Sequence, residues 1–285
     1  MSHFSIAGLQ LKLSSGDSTD LISEKIVHTK KRFPWLDMIV ISELASFGVD
    51  KKFASPLPSK AEKLYCQLAK ENDIWLIPGS FFEQVDDKVY NTAPVINNQG
   101  EVIERYRKIY PFYPYESGVE AGQDFVVFDV PQGRIGIAIC YDLWIPEVAR
   151  SLTCLGAEVL IYPTLTGTID RQKELILSQA TAIQNQCYVF GLNASSPLGN
   201  GQSIMVGPDG NLIYQAGSDE EVIPIEVDFS NVRRNRENGL FNLGQPLKSF
   251  RDNRRIIQQV SKIINNDNEL SKLGELKLPA SKKNS

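Results

Sequence analysis

An α/β fold is predicted, a sandwich of mixed sheets covered by helices, and three observations carry it. Short β-rich runs alternate with amphipathic helical stretches along the chain. Several strand-like runs end directly before helices, and others fold back through Asn-Gln-Gly and Pro-Asp-Gly turns, as in "VYNTAPVINNQGEVIERY" and "SIMVGPDGNLIYQ". No break in composition divides the 285 residues, of which 42% are hydrophobic and 22% charged, enough for a substantial core.

The elements follow in order. Residues 4–12 alternate Phe4, Ile6 and Gly8 against Ser5, Ala7 and Leu9 and read as the first strand, followed by an amphipathic helix over 18–33. The apolar run 38–43 ends in Glu43, and a second helix spans 57–72. Strands are expected at 74–82, 90–97, 125–129 and 134–140, the last ending at Cys140 just before a proline-started helix over 146–156. Strand 158–163, helix 171–186 and strands 187–193, 202–207 and 222–228 continue the pattern, and a last helix covers about 250–265. One domain over residues 1–265 and a polar tail over 266–285 are expected.

Composition narrows the function. A net charge of −4 offers no general attraction to nucleic acid or to an anionic membrane. The short basic runs, "RRNR" at 233–236 and Arg251, Arg254 and Arg255, read as a solvated face or a subunit contact. No run reaches the roughly 20 apolar residues of a membrane helix, and "MSHFSIAGLQLKL" does not read as a signal peptide. Cys66, Cys140, Cys154 and Cys187 form no CxxC pair, which argues against a zinc site or a disulfide framework and for a reducing cytoplasm. No metal, nucleotide or flavin motif is present, so no cofactor is expected; "GNGQS" lacks the helix a phosphate cradle needs.

The chain has two histidines, His3 and His28, both near its start and both expected at the surface. A nucleophile here must find another base. Cys66 and Cys154 fall within helices and Cys187 begins a strand, and all three read as buried small hydrophobes. Cys140 differs: it ends a strand at a turn into a helix, where backbone N–H groups lower a thiol pKa. Glu43, taken alone, reads better as a rim glutamate than as a catalytic one. Lys108 and Glu116 sit in the proline-stiffened aromatic stretch "ERYRKIYPFYPYESG", which reads either as ordinary packing or as a pocket wall.

Together these residues and their flanks resemble the nitrilase superfamily of carbon–nitrogen hydrolases, in its amidase-like branch. The likeness rests on Glu43, Lys108, Glu116 and Cys140 in that order, on "GLQL", "NTAPVINNQGEVIERYRK", "GIAICYD", "PEVARSLTCLGAEVLIYPT" and "GQSIMVGPDGNLI", and it covers roughly residues 4–250. It implies a four-layer αββα sandwich and hydrolysis of a small amide to ammonia and a carboxylic acid through a cysteine thioester. Cys140 would be the nucleophile, Glu43 the general base, Lys108 and the backbone N–H of Tyr141 the oxyanion donors, and Glu116 the residue positioning Lys108. The helix after the cysteine packs across a twofold axis in this family, so a homodimer or higher homo-oligomer is expected.

The chain departs from the family in informative places. Tyr141-Asp142 stands where nitrile-cleaving members carry Trp-Glu, and Trp144 where many amidases carry arginine. With Tyr113 and its aromatic neighbours Tyr110, Phe112 and Tyr115 as pocket wall, neutral amides are expected to be preferred over carboxylate-bearing ones, unless Arg171 of the divergent loop supplies the missing charge. Hydrolysis of an N-carbamoyl amide, a nitrilase reaction and a catalytically silent scaffold are the competing readings.

Overall fold

The structure, a computed structural model, describes residues 2–266 and 269–277. Two sheets stack face to face, and helices cover their outer faces. The seven-stranded sheet contains β1 (His3–Gln10), β2 (Met38–Ile41), β3 (Trp75–Ile77), β4 (Phe81–Val85), β5 (Lys88–Ile96), β6 (Val102–Arg107) and, at its edge against β1, β13 (Glu221–Asp228). The six-stranded sheet runs in space from β12 (Leu212–Gln215) through β11 (Ile204–Val206), β10 (Tyr188–Leu192), β9 (Val159–Pro163) and β8 (Gly133–Ile137) to β7 (Val126–Val130). The central strands of each sheet, β1 to β3 and β8 to β10, are parallel, and the outer ones are antiparallel. The expected four-layer αββα sandwich is present.

Alternation along the strands builds the layers. On β1, Phe4 and Ile6 join Met38, Val40, Ile135, Ile137 and Phe190 in the core between the sheets. Ala7 and Leu9 face outward with Ile39 and Ile41, onto α1 (Thr19–Arg32) and α2 (Lys60–Glu71). Gly8 belongs to the inner set, and a Cβ there would lie 2.4 Å from the Phe190 ring, so only glycine lets the sheets approach this closely. On the far side, α3 (Pro146–Cys154) and α4 (Arg171–Asn185) cover the second sheet.

Several expectations change. The run 74–82 is two strands, β3 and β4, because Gly79 turns the chain at φ +81°, where a Cβ would collide with the Ser42 carbonyl. The stretch 250–265 is not one helix: α6 (Pro246–Asp252) and α7 (Arg254–Asn265) break at Asn253. A helix that periodicity does not reveal, α5 (Phe229–Asn238), carries the "RRNR" run. That run is an intramolecular clamp. Arg233 makes an ion pair with Glu158, and Arg236 donates to the carbonyls of Ala157 and Gln186. Of the expected tail 266–285, residues 267–268 and 278–285 lie outside the described residues. No helix among the described residues is long and apolar enough to cross a membrane.

Candidate active site

The candidate residues converge where the central parallel strands end, the side of open α/β sheets at which ligands bind. Glu43 follows β2, and its N–H donates to the Thr164 carbonyl just past β9, tying the two sheets together at this rim. Lys108 follows β6, its N–H donating to the Asn91 carbonyl of β5. Cys140 opens a short 3₁₀ turn, Cys140–Trp144, three residues after β8 ends at Ile137. The cysteine adopts φ +47°, an uncommon conformation for a residue with a Cβ, which projects its side chain from a tight elbow. Asp142 holds that elbow: its carboxylate accepts from the Ile139 N–H at 2.9 Å, the Tyr106 hydroxyl at 2.7 Å and the Tyr110 N–H at 2.8 Å.

Lys108 is fully buried, with Nζ 2.8 Å from Glu43 Oε1 and 2.6 Å from Glu116 Oε2. Asn91 supplies a second bridge between the same carboxylates, its Nδ2 donating to Glu43 Oε1 at 2.8 Å and to Glu116 Oε1 at 3.2 Å. Burial opposes the charge on Lys108, but the carboxylates of Glu43 and Glu116 outweigh it and hold the ammonium well above its usual range. Burial pushes Glu43 upward against the pull of Lys108, and Glu116 adds to the rise. The Cys140 thiol also goes up, first through burial and then through Glu43, with Lys108 offsetting only part. This reverses the expectation of an acidified thiol: the backbone donors of the elbow do not compensate for desolvation. The resting thiol is neutral, beside a carboxylate able to take its proton.

On the other side of Cys140, Sγ lies 3.8 Å from Thr166 Oγ1, which donates to Glu174 at 2.8 Å. Arg171, buried and 2.9 Å from Glu174, donates from Nη2 to the Gly191 and Gln202 carbonyls. It does not supply the pocket with charge. Two cavities open onto Cys140. One, about 280 Å³, is lined by Glu43, Lys108, Glu116, Lys51, Phe82 and Tyr115 among others. The second, about 230 Å³, is lined by Tyr141, Trp144, Leu165, Thr166, Asp170 and Glu174, and Phe112 borders both.

Trp144 is thus on a cavity wall. Tyr113 is not: its hydroxyl is spent on the Val119 carbonyl, and it lines neither cavity. His3 and His28 are exposed. Cys187 is buried as expected, whereas Cys66 is half-buried and Cys154 exposed. Asn91, Thr166 and Glu174 were not singled out from the sequence. A polar Asn91 inside the apolar strand "NTAPVI", on the side facing Glu43, was the available signal for the first.

Comparisons with known proteins give the chain its family. Residues 16–237 match the carbon–nitrogen hydrolase family. An omega-amidase of Xenopus laevis, NIT2-A, is 31% identical over 67% of this chain and 78% of its own length. A deaminated glutathione amidase of Bos taurus is 29% identical over 69% of this chain and 70% of its own. Among solved structures, Nit3 of Saccharomyces cerevisiae, a member of branch 10 of the nitrilase superfamily, superposes with a TM-score of 0.76 at 28% identity over 83% of this chain and 94% of that one. An amidase of Nesterenkonia shares the fold at 22% identity, covering 83% of this chain and 94% of its own, with a TM-score of 0.73. Fold and site define an enzyme of the nitrilase superfamily. The chain belongs to its carbon–nitrogen hydrolase family and resembles the amidases there.

Proposed function

We propose that this enzyme hydrolyses the C–N bond of small amides through a thioester on Cys140, releasing ammonia and a carboxylic acid. The observation that carries this reading is one buried ammonium, Lys108, shared by Glu43 and Glu116 beside a buried neutral thiol. Glu43 takes the thiol proton as Sγ attacks the carbonyl carbon, so the sulfur becomes anionic only as the bond forms. The carbonyl oxygen gains negative charge between Lys108 Nζ and the Tyr141 N–H; such preorganised donors are each worth about 2.7–4 kcal/mol. Glu43 then returns the proton to the leaving nitrogen, ammonia departs, and Glu43 activates the water that cleaves the thioester. Glu116 and Asn91 hold Lys108 and Glu43 in register.

Glu43 and Lys108 line one cavity and Tyr141 the other, so the leaving nitrogen lies on the Glu43 side and the acyl group extends past Tyr141. The amidase names of the relatives support an amide substrate. N-carbamoyl amide hydrolysis would use the same groups and remains the second reading. The four free thiols support a cytoplasmic setting, and no cofactor is invoked. We infer a homodimer at least. An ammonia-release screen over amides, nitriles and carbamoyl compounds tests the reading. Ammonia from amides, lost in Cys140→Ala, is expected; turnover confined to nitriles, or none at all, would overturn it.

A further inference from the structure

The cavity past Tyr141 has an electrostatic character that the reaction itself does not need. Aromatic surface covers one side, with Phe112, Tyr141 and Trp144 in a row at centroid spacings of 4.7 and 6.0 Å. Two carboxylates reach the opposite side. Glu174 is already matched by Arg171 and by the Thr166 hydroxyl. Asp170 is not. It occupies the N-cap of α4, yet its side chain caps no backbone N–H. Its carboxylate accepts from the Thr168 hydroxyl at 3.0 Å, and no cation pairs with it among the described residues. It stands at the N-terminal, positive end of α4. Lys51 and Lys108, the ammonium groups of the site, line the other cavity.

We propose that this cavity selects amides whose acyl group ends in an organic cation, an ammonium or a guanidinium, seated against the three rings with Asp170 as counter-charge. The proposal rests on the hydrolytic reading and names its substrate class. A carboxylate in the same place would lose water and meet Asp170 with no cation to pair with. A neutral tail gains apolar contact alone. A cation gains the Asp170 carboxylate in addition to contact with the aromatic side. Asp170 is half-buried at the rim, so the cation keeps part of its hydration, and the desolvation that makes a deep ion pair costly is avoided.

The test is kcat/KM for three primary amides of equal chain length, ending in methyl, carboxylate or ammonium. In the wild-type enzyme the ammonium amide should exceed the methyl amide by about threefold, the worth of a rim-exposed ion pair, with the carboxylate amide below both. Added salt should shrink the ratio. Asp170→Asn should bring the ammonium-to-methyl ratio towards one, and Asp170→Lys should favour the carboxylate. A wild-type ratio at or below one, or a ratio unmoved by Asp170→Asn, overturns the proposal. If none of the three amides is hydrolysed, the hydrolytic reading fails separately. Calorimetric binding to Cys140→Ala then still decides: tighter binding of the ammonium amide than of the methyl amide supports the selection, and equal or weaker binding rejects it.

Discussion

At the residue scale, Asn91 keeps two carboxylates apart around a single lysine, and its substitution separates positioning from chemistry. Its Nδ2 reaches both acids, whereas Oδ1 has no partner among the described residues, so the side chain is oriented by the charge around it. Asn91→Ala should reduce kcat by roughly ten- to a hundredfold, the loss of two hydrogen bonds to carboxyl groups in a buried site, with a shifted pH–rate profile as the mark of altered coupling. An unchanged profile with a merely unstable protein would assign Asn91 to packing alone. Cys140→Ala should abolish turnover and leave the fold intact, while Cys66→Ala and Cys187→Ala stay active; near-normal ammonia release by Cys140→Ala would sink the mechanism. Because the resting thiol is pushed up, the ultraviolet difference between wild type and Cys140→Ala should show no thiolate between about pH 6 and 8. The four candidate residues were legible from the sequence only as a set, through the family pattern they resemble, because each alone has an ordinary structural reading. Thr166 and Glu174 were not, since their pairing depends on how the loop after β9 meets α4. The direction of the thiol shift was misread because sequence shows the elbow but not its burial.

Among elements, the elbow from Ile139 to Trp144 does most to place the site, and Asp142 is its fastener. Burial raises the Asp142 carboxyl from 3.8 to about 6, against the donors from Tyr106, Ile139 and Tyr110. The folded chain therefore holds this proton more tightly than the unfolded one. The stability it contributes is full below about pH 4 and is lost as pH rises through 6, roughly 3 kcal/mol for a shift of about two units. Urea unfolding should show wild type losing that much more than Asp142→Asn between about pH 4 and 7; parallel curves would refute the assignment. Asp142→Ala should also lower activity, since Cys140 sits at a left-handed φ that the fastener maintains. Element boundaries were readable where periodicity was strong, as in β1, α2 and α4. They failed where one residue decides, as at Gly79, or where a helix docks through arginines, as α5 does with Phe229 and Val232 as its buried residues.

For the whole molecule, the surface beside α3 has a shape that the sandwich alone does not require. A groove of about 490 Å³ runs between Thr153 and Cys154 at the end of α3 and Leu247, Phe250 and Ile257 of α6 and α7. Ile256, Ile257 and Val260 are exposed on α7. The stretch following the candidate nucleophile and the C-terminal helices thus share one apolar region, which supports the inferred association of two copies. Sedimentation at micromolar concentration should give a dimer or larger, and Ile256→Glu with Val260→Glu should shift it towards monomer. A wild-type chain that sediments only as monomer would end this inference. The layered architecture was readable at this scale because alternation and helix placement repeat along the whole chain.

The pairing of β1 with β13 has a consequence for how the enzyme is made. His3–Gln10 is zipped residue by residue to Glu221–Asp228, so the first strand leaves the ribosome some two hundred residues before its outer neighbour. Through that interval β1 presents a bare row of backbone donors and acceptors, the kind of edge on which nascent chains cross-pair. Every proposed catalytic side chain is already synthesised by then, yet the sheet that orients Glu43 is still open. A product ending between Glu174 and Glu221 therefore carries every proposed catalytic side chain and none of the closure, and it should accumulate as aggregate rather than as a weak enzyme.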